Sequence, residues 1–232
     1  MSKRYSALLE KVDRQKTYNL EEGIKVLKGL HSAKFDETVE LSIKLGVDPK
    51  KLSSPIRGSV VLPHGTGKKI KVLVFATGEN MKKALEAGAD YVGGSELVEK
   101  IKNGWLDFDY VISTPDMMKV VAPLGKILGP RGLMPNPKTG TVTENVESAV
   151  KEAKKGKVDF KMDRDGNIHV SVGKVSFPDE KLKENIISVI ASVLSVKPPG
   201  IKGTYIKSIH LSLTMSPSIK LDNSILQNLR NV

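Results

Sequence analysis

Lys126, Arg131 and Lys138 stand in the stretch Pro123-Leu-Gly-Lys-Ile-Leu-Gly-Pro-Arg-Gly-Leu-Met-Pro-Asn-Pro-Lys-Thr-Gly140, which holds four glycines, four prolines and no acid. Cations, the amide of Asn136 and free backbone N–H groups together suit a polyanion. The same residues also fit a basic surface loop with no ligand. Proline fixes φ and removes donors while glycine opens positive φ, so neither a regular helix nor a central strand is expected here. Leu124, Ile127, Leu128, Leu133 and Met134 give the loop something to pack with, which favours order.

Two other places carry the same chemistry. In His31-Ser-Ala-Lys-Phe-Asp-Glu37, Lys34 and Phe35 fall where a helical pattern gives way to an alternating one. A cation beside an aromatic can pair with phosphate and stack on a base or sugar. A lone phenylalanine after a helix is also a common core plug. Between Gly203 and Thr214, strict alternation puts Tyr205, Lys207, Ile209, Leu211 and Leu213 on one face. Thr204, Ile206, Ser208, His210, Ser212 and Thr214 then share the other. That row of hydroxyls is either a solvated sheet face or a hydrogen-bonding platform for RNA sugars and phosphates.

Catalytic constellations are missing. His31, His64, His169 and His210 have no metal-type spacing, and neither GxSxG nor a GxGxxG following a strand occurs. Pro63-His-Gly-Thr-Gly-Lys68 is no P-loop, because Leu62 stands where its first glycine belongs and Lys69 follows the lysine. Asp163-Arg-Asp-Gly166 reads as a hairpin turn; a calcium loop would need an acid or amide at Lys161 and a distal glutamate. No enzyme activity, cofactor or metal is expected.

Composition agrees with a polyanion ligand. The 232 residues carry a net charge of +11 at a pI of about 9.6. Lys and Arg exceed Asp and Glu by four in residues 1–66, by four in 67–157 and by three in 158–232. Charge spread this way fits a broad nucleic-acid footprint better than a tethering tail. Cysteine is absent, which excludes disulfides and thiolate sites. The first 30 residues lack an apolar signal core, and the longest apolar run, around Ile186 to Leu194, is far short of the roughly 20 residues that cross a bilayer. A soluble, cytoplasmic protein without membrane partners is expected.

The elements that must position these residues follow from periodicity. Helices are expected over 6–16 and 19–31, the second opened by an Asn19–Glu22 capping box. A half-buried strand runs from Asp36 to Val47, and another from Arg57 to Leu62. Pro63–Lys68 reads as a linker. Strands at 70–76, 89–92 and 108–113 alternate with helices at 79–87, 95–103 (capped by Ser95) and 115–121, which means a parallel sheet with helices on its faces. After a helix over 144–155, Val158–Met162 and Ile168–Val175 form a hairpin. A helix from Pro178 ends at Pro198-Pro199-Gly200, and the strand 203–214 follows. The fold class is therefore mixed α/β and α+β. Residues 1–66 and 158–232 make one discontinuous domain with an antiparallel sheet, and 67–157 form an inserted parallel α/β domain. Two glycine-containing connections join them and permit hinge motion. The inserted domain could instead serve an enzyme as a nucleotide site at its strand ends, but fold alone does not license that.

Long phrases of the chain resemble the family of bacterial ribosomal protein L-one, the stalk protein of the large subunit. They are Ala33-Lys-Phe-Asp-Glu-Thr-Val-Glu40, Leu62-Pro-His-Gly65, Gly88-Ala-Asp-Tyr-Val-Gly-Gly94, the loop from Leu128 to Thr141, Lys174-Val-Ser-Phe-Pro178 and Thr214-Met215, in the family's order. The resemblance spans about residues 5 to 221. It implies a split RNA-binding domain with an inserted Rossmann-like domain, bound to large-subunit ribosomal RNA in the mobile stalk. It also implies help in releasing deacylated exit-site tRNA, and repression of its own operon through the messenger leader. Carried over, the rRNA contacts are Lys34, Phe35, Thr38, Ser208, Thr214 and Met215. Arg57, His169 and Ser216, and then Lys126, Arg131 and Lys138, are the secondary candidates. Other ribosomal components are the remaining partners, and the free protein is expected to be a monomer. The chain departs from the family's pattern at Ser216, where glycine is usual. The stretch from Asp222 to Val232 runs past the usual end and is given no role.

Overall fold

A computed structural model describes residues 3–13, 15–49, 55–199, 201 and 203–226. In chain order the elements begin with α1 (Lys3–Glu10), β1 (Thr17–Tyr18), α2 (Leu20–Gly29), β2 (Thr38–Leu45) and β3 (Arg57–Val61). Then come β4 (Val72–Phe75), α3 (Glu79–Glu86), β5 (Tyr91–Gly93), α4 (Ser95–Lys102), β6 (Tyr110–Ser113), α5 (Met118–Val121) and α6 (Gly125–Leu128). The last are α7 (Val146–Gly156), β7 (Lys157–Lys161), β8 (Asn167–Lys174), α8 (Asp179–Ser195), β9 (Ile206–Leu213) and β10 (Ile219–Leu221). The chain divides into two compact units, Met1–Gly67 with Val158–Val232, and Lys68–Lys157. Among the described residues no helix is long and apolar enough to cross a membrane.

The discontinuous unit is organised by a five-stranded sheet in the order β1-β10-β9-β2-β8. Alternation in β2 turns Val39, Leu41, Ile43 and Leu45 into the core and leaves Thr38, Glu40, Ser42 and Lys44 on the other face. The apolar faces of α2 and α8 cover the inner side, with Ile24 and Leu27 from one and Leu182, Ile186, Val189 and Val193 from the other. Each such fully buried side chain contributes about 1.5–3 kcal/mol. In the other unit β4 lies between β5 and β6 in a parallel sheet. All four residues of β4 are buried. Val72 and Val74 join Ala84, Val146 and Val150 on one side, and Leu73 and Phe75 join Leu97, Ile101, Val121 and Leu124 on the other.

Several local expectations are corrected. The first helix is shorter than 6–16, ending at Glu10, and Arg14 lies outside the described residues. Asn19 caps α2 by accepting the Glu22 N–H at 2.8 Å, but no capping box closes, because the Glu22 carboxylate turns to the Lys16 ammonium at 2.6 Å. Gly94, not Ser95, occupies the cap of α4, and its N–H donates to the Glu96 carboxylate. The helix α8 stops at Ser195, before the two prolines; Gly200 lies outside the described residues.

Two corrections concern the sheets. Strands β7 and β8 are no hairpin: β7 pairs with β3 in a separate two-stranded sheet, while β8 pairs with β2. The Asp163 carboxylate accepts the N–H groups of Asp165 and Asn167, so the turn is made by its own side chain and routes the chain from one sheet to the next. The five-stranded sheet is also not wholly antiparallel, since β1 runs parallel to β10. The tail given no role takes part: Asp222 donates to the Tyr18 carbonyl, and Ile225 and Leu226 are buried in the core. Residues 227–232 lie outside the described residues.

The cationic loop is more regular than its prolines and glycines suggested. Ala122–Leu124 and Pro137–Thr139 are 3₁₀ turns, and Gly125–Leu128 is one α-helical turn. Gly125 and Gly129 adopt right-handed helical angles, and Pro123 sits at the start of its turn, where no amide donor is needed. Leu124 and Leu128 anchor the stretch in the core.

One buried group is badly served. Tyr205 is 2% exposed, and its hydroxyl has no hydrogen-bond partner among the described residues; burial pushes its pKa up to about 12. Tyr205→Phe removes the orphan while keeping the ring. Its unfolding free energy from denaturant titration is expected to stay level or rise, by up to about 1 kcal/mol, with an unchanged m-value.

Candidate nucleic-acid interface

Antiparallel pairing gathers the ends of three strands at one edge of the five-stranded sheet. Thr38, the first residue of β2, lies opposite Lys174, the last of β8, and Val39 lies opposite Leu213, the last of β9. The segment entering β2 and those leaving β8 and β9 therefore meet there. The Thr38 N–H donates to Thr214 Oγ1 at 3.0 Å, and Lys174 Nζ donates to Thr38 Oγ1 at 2.9 Å and to the Asp36 carbonyl at 3.3 Å. The Asp36 carboxylate accepts both the N–H and the hydroxyl of Ser176, while the Glu37 carbonyl accepts the Val175 N–H.

This stapled corner holds Phe35 out. The ring is 53% exposed, and Met215 on the neighbouring turn is 43% exposed. Two of the four large hydrophobic side chains exposed among the described residues thus stand beside one hydrogen bond, Thr38 to Thr214. Phe35 is not a core plug. With Lys34 also exposed, the corner offers a stacking surface, a soft apolar contact, hydroxyls and two lysines.

Ser216 sits just beyond. It accepts the Leu213 N–H on its hydroxyl at 2.9 Å and donates the hydroxyl proton to the Pro217 carbonyl at 2.9 Å. No non-glycine residue among those described has positive φ, so the serine needs no glycine-only conformation. Its hydroxyl serves the turn.

The outer face of the sheet extends from this corner in rows. Glu40 faces Ser171 and Ser212; Ser42 faces His169 and His210; Lys44 faces Asn167 and Ser208. The Ser42 hydroxyl and His169 Nδ1 are 3.0 Å apart. Burial, with Lys220 opposite, pushes the His210 imidazole pKa down, so at neutral pH the ring is uncharged with one donor and one acceptor. Strict alternation fails near the start of β9. Lys44 pairs with Ser208 but Leu45 pairs with Ile206, so a bulge at Lys207 turns Ile206 inward and Lys207 out. The hydroxyl-bearing face is therefore free of Ile206, and the core is free of Lys207.

The predicted residues fall into three groups. Lys34, Phe35, Thr38, Thr214, Met215 and Ser216 share the corner. Ser208 and His169 lie on the face beyond it; Ser208 is six residues from Thr214, about 20 Å along a strand. The others are elsewhere. Arg57 begins β3 in the two-stranded sheet, with its Nε buried and unpartnered among the described residues. Lys126, Arg131 and Lys138 belong to the other unit, where all three are exposed. Sequence reasoning missed Lys174, Asp36, Glu37 and Ser176 as supports of the corner, and Ser42 on the face. Counting β8 against β2 from the turn at Gly166 would have brought Lys174 near Thr38, had the bulge between Val39 and Glu40 been visible.

The chain matches the ribosomal protein L1p/L10e family over residues 27–217. It is 58% identical over 232 residues to the large ribosomal subunit protein uL1 of Persephonella marina, covering 98% of this chain and 96% of that protein. Against the large ribosomal subunit protein uL1 of Thermosipho africanus it is 58% identical over 226 residues, covering 97% of each.

Proposed function

Because the chain belongs to the ribosomal protein L1p/L10e family, we propose that it is a constituent of the large ribosomal subunit that grips ribosomal RNA of the mobile stalk. The discontinuous unit is the RNA-binding domain and the inserted unit a Rossmann-like companion. The observation that carries this reading is the exposed pair Phe35 and Met215 flanking the Thr38–Thr214 hydrogen bond, with Lys34 and Lys174 supplying charge. Phe35 stacks on a base, the hydroxyls and lysines take sugar and phosphate oxygens, and Ser208 and His169 extend the contact along the sheet face. In the assembled ribosome the protein assists release of deacylated tRNA from the exit site, moving as two units on their paired connections. The same grip binds the leader of its own messenger and represses translation there. One surface serving both RNAs makes them competitors. The free protein is a cytoplasmic monomer without catalytic activity.

Titration with a stalk rRNA fragment at several salt concentrations tests the reading. The logarithm of the binding constant is expected to fall linearly with the logarithm of salt, because each neutralised phosphate releases counterions. Binding indifferent to salt would exclude the phosphate contacts. A messenger-leader fragment is expected to displace the rRNA fragment at one-to-one stoichiometry. Calorimetry with ATP or NAD is expected to show no saturable binding; stoichiometric uptake would favour an enzyme built on the inserted unit.

A further inference from the structure

Glu37 is fully buried, and the corner built around Phe35 closes over it. Its Oε1 accepts the Ala33 N–H at 3.0 Å and lies 3.4 Å from His31 Nδ1, while Oε2 is buried with no hydrogen-bond partner. A buried carboxylate with one oxygen unserved is costly, and an apolar residue of similar volume usually fits such a place at least as well. The feature is also local. Glu37 reaches back four residues to the start of the segment that displays Lys34 and Phe35, closing a ring of backbone around them.

The backbone and carboxylate ties beyond Phe35 hold the far side of that segment: Asp36 to Ser176 and Lys174, and the Glu37 carbonyl to Val175. Without an acceptor for Ala33, the near side would be fixed only by the end of α2 and by one exposed side-chain bond, from the Arg4 guanidinium to the Ser32 hydroxyl at 2.9 Å. Phe35, with more than half its surface in water, has little packing of its own to fix its direction. We infer that Glu37 is a positioning residue for RNA, one that holds the 33–36 segment in its binding shape before the ligand arrives, and does not itself touch RNA. This rests on the RNA-grip reading above. An ordered segment avoids the entropy of ordering at binding, so the acceptor acts through affinity and not through fold stability.

Glu37→Met keeps the volume and removes the acceptor, whereas Glu37→Gln keeps an oxygen for Ala33 and removes only the charge. Glu37→Met is expected to melt at or above the parental temperature yet bind the stalk rRNA fragment about tenfold more weakly. Glu37→Gln should stay within about threefold of the parent on the same scale. Because Glu37 acts through Phe35, the double variant Glu37→Met/Phe35→Ala should bind no worse than Phe35→Ala alone, a coupling that independent effects would not show. In the unmodified protein, the Ala33 amide is expected to exchange with solvent more than about tenfold slower than those of Lys34 and Phe35, a readout that needs no variant to fold. Parental affinity in Glu37→Met, equal weakness in Glu37→Gln, full additivity with Phe35→Ala, or an unprotected Ala33 amide would each overturn the role of Glu37. Parental affinity in Phe35→Ala would instead overturn the RNA grip itself, and this inference with it.

Discussion

Phe35→Ala is expected to weaken binding of a stalk rRNA fragment by at least about tenfold, or 1.4 kcal/mol, while leaving the melting temperature where it was. The two halves of that result have one cause. With 53% of its surface in water, the ring leaves no cavity when truncated, so the large penalty usual for a buried phenylalanine does not arise. A base stacked on it loses about 1–3 kcal/mol. The slope of affinity against salt should be unchanged, because no phosphate contact is removed. Thr214→Val keeps the side chain's shape but deletes the oxygen that accepts the Thr38 N–H, loosening the junction of β2 with the end of β9. Its loss of affinity should match or exceed tenfold, with a stability cost of about 1 kcal/mol, since water can replace the lost acceptor at an exposed site. Parental affinity in both variants would remove this corner from the interface.

How far such a site can be read before folding is visible in its parts. Period two from Val39 to Leu45, and the apolar run around Val72–Phe75, are signals from neighbouring residues, and the strands lie where those signals put them. The corner depends instead on which residues face one another across strands, and register is a long-range property. Two bulges make the point. At Lys207 an extra residue reverses the alternation, rescuing a lysine from the core and an isoleucine from the polar face. Beside Val39 another carries Gly173 at a φ of +151°, where an added Cβ would come within 2.9 Å of Leu182. Neither is visible in a period count. The exposure of Phe35 was equally illegible, because it follows from Asp36 and Glu37 finding partners at Ser176, Val175 and Ala33. Lys34 and Thr214 are legible as chemistry, a cation beside an aromatic and a hydroxyl in a row of hydroxyls, whereas Met215 is legible only through the family resemblance. The capping box failed for a simpler reason: Lys16 competes for the Glu22 carboxylate with a full charge.

Asn185 marks the opposite case, a polar residue on an apolar helix face whose loss is expected to cost about 3 kcal/mol. It is fully buried on α8 among Leu182, Ile186 and Val189. Its Oδ1 accepts the His64 N–H at 3.1 Å, and its Nδ2 donates to the Gly65 carbonyl at 3.0 Å and the Val172 carbonyl at 2.8 Å. One amide therefore ties α8 to β8 and to the turn before the chain first leaves this unit, with Glu184 adding a 2.6 Å contact to His64 Nε2. Pro63–Lys68, read from sequence as a plain linker, is pinned at its start. Asn185→Leu conserves volume but strands two carbonyls and an N–H. Asn185→Asp keeps the acceptor but sets a negative charge against the same two carbonyls, so it should be the more damaging. The protein's single tryptophan, Trp105, lies in the other unit, which separates the readouts. The circular-dichroism transition of both variants should move to lower denaturant, with the Trp105 fluorescence transition holding its midpoint. A circular-dichroism midpoint unmoved in Asn185→Leu would mean that water takes over the amide's three bonds, and that the start of the linker is not held by this residue.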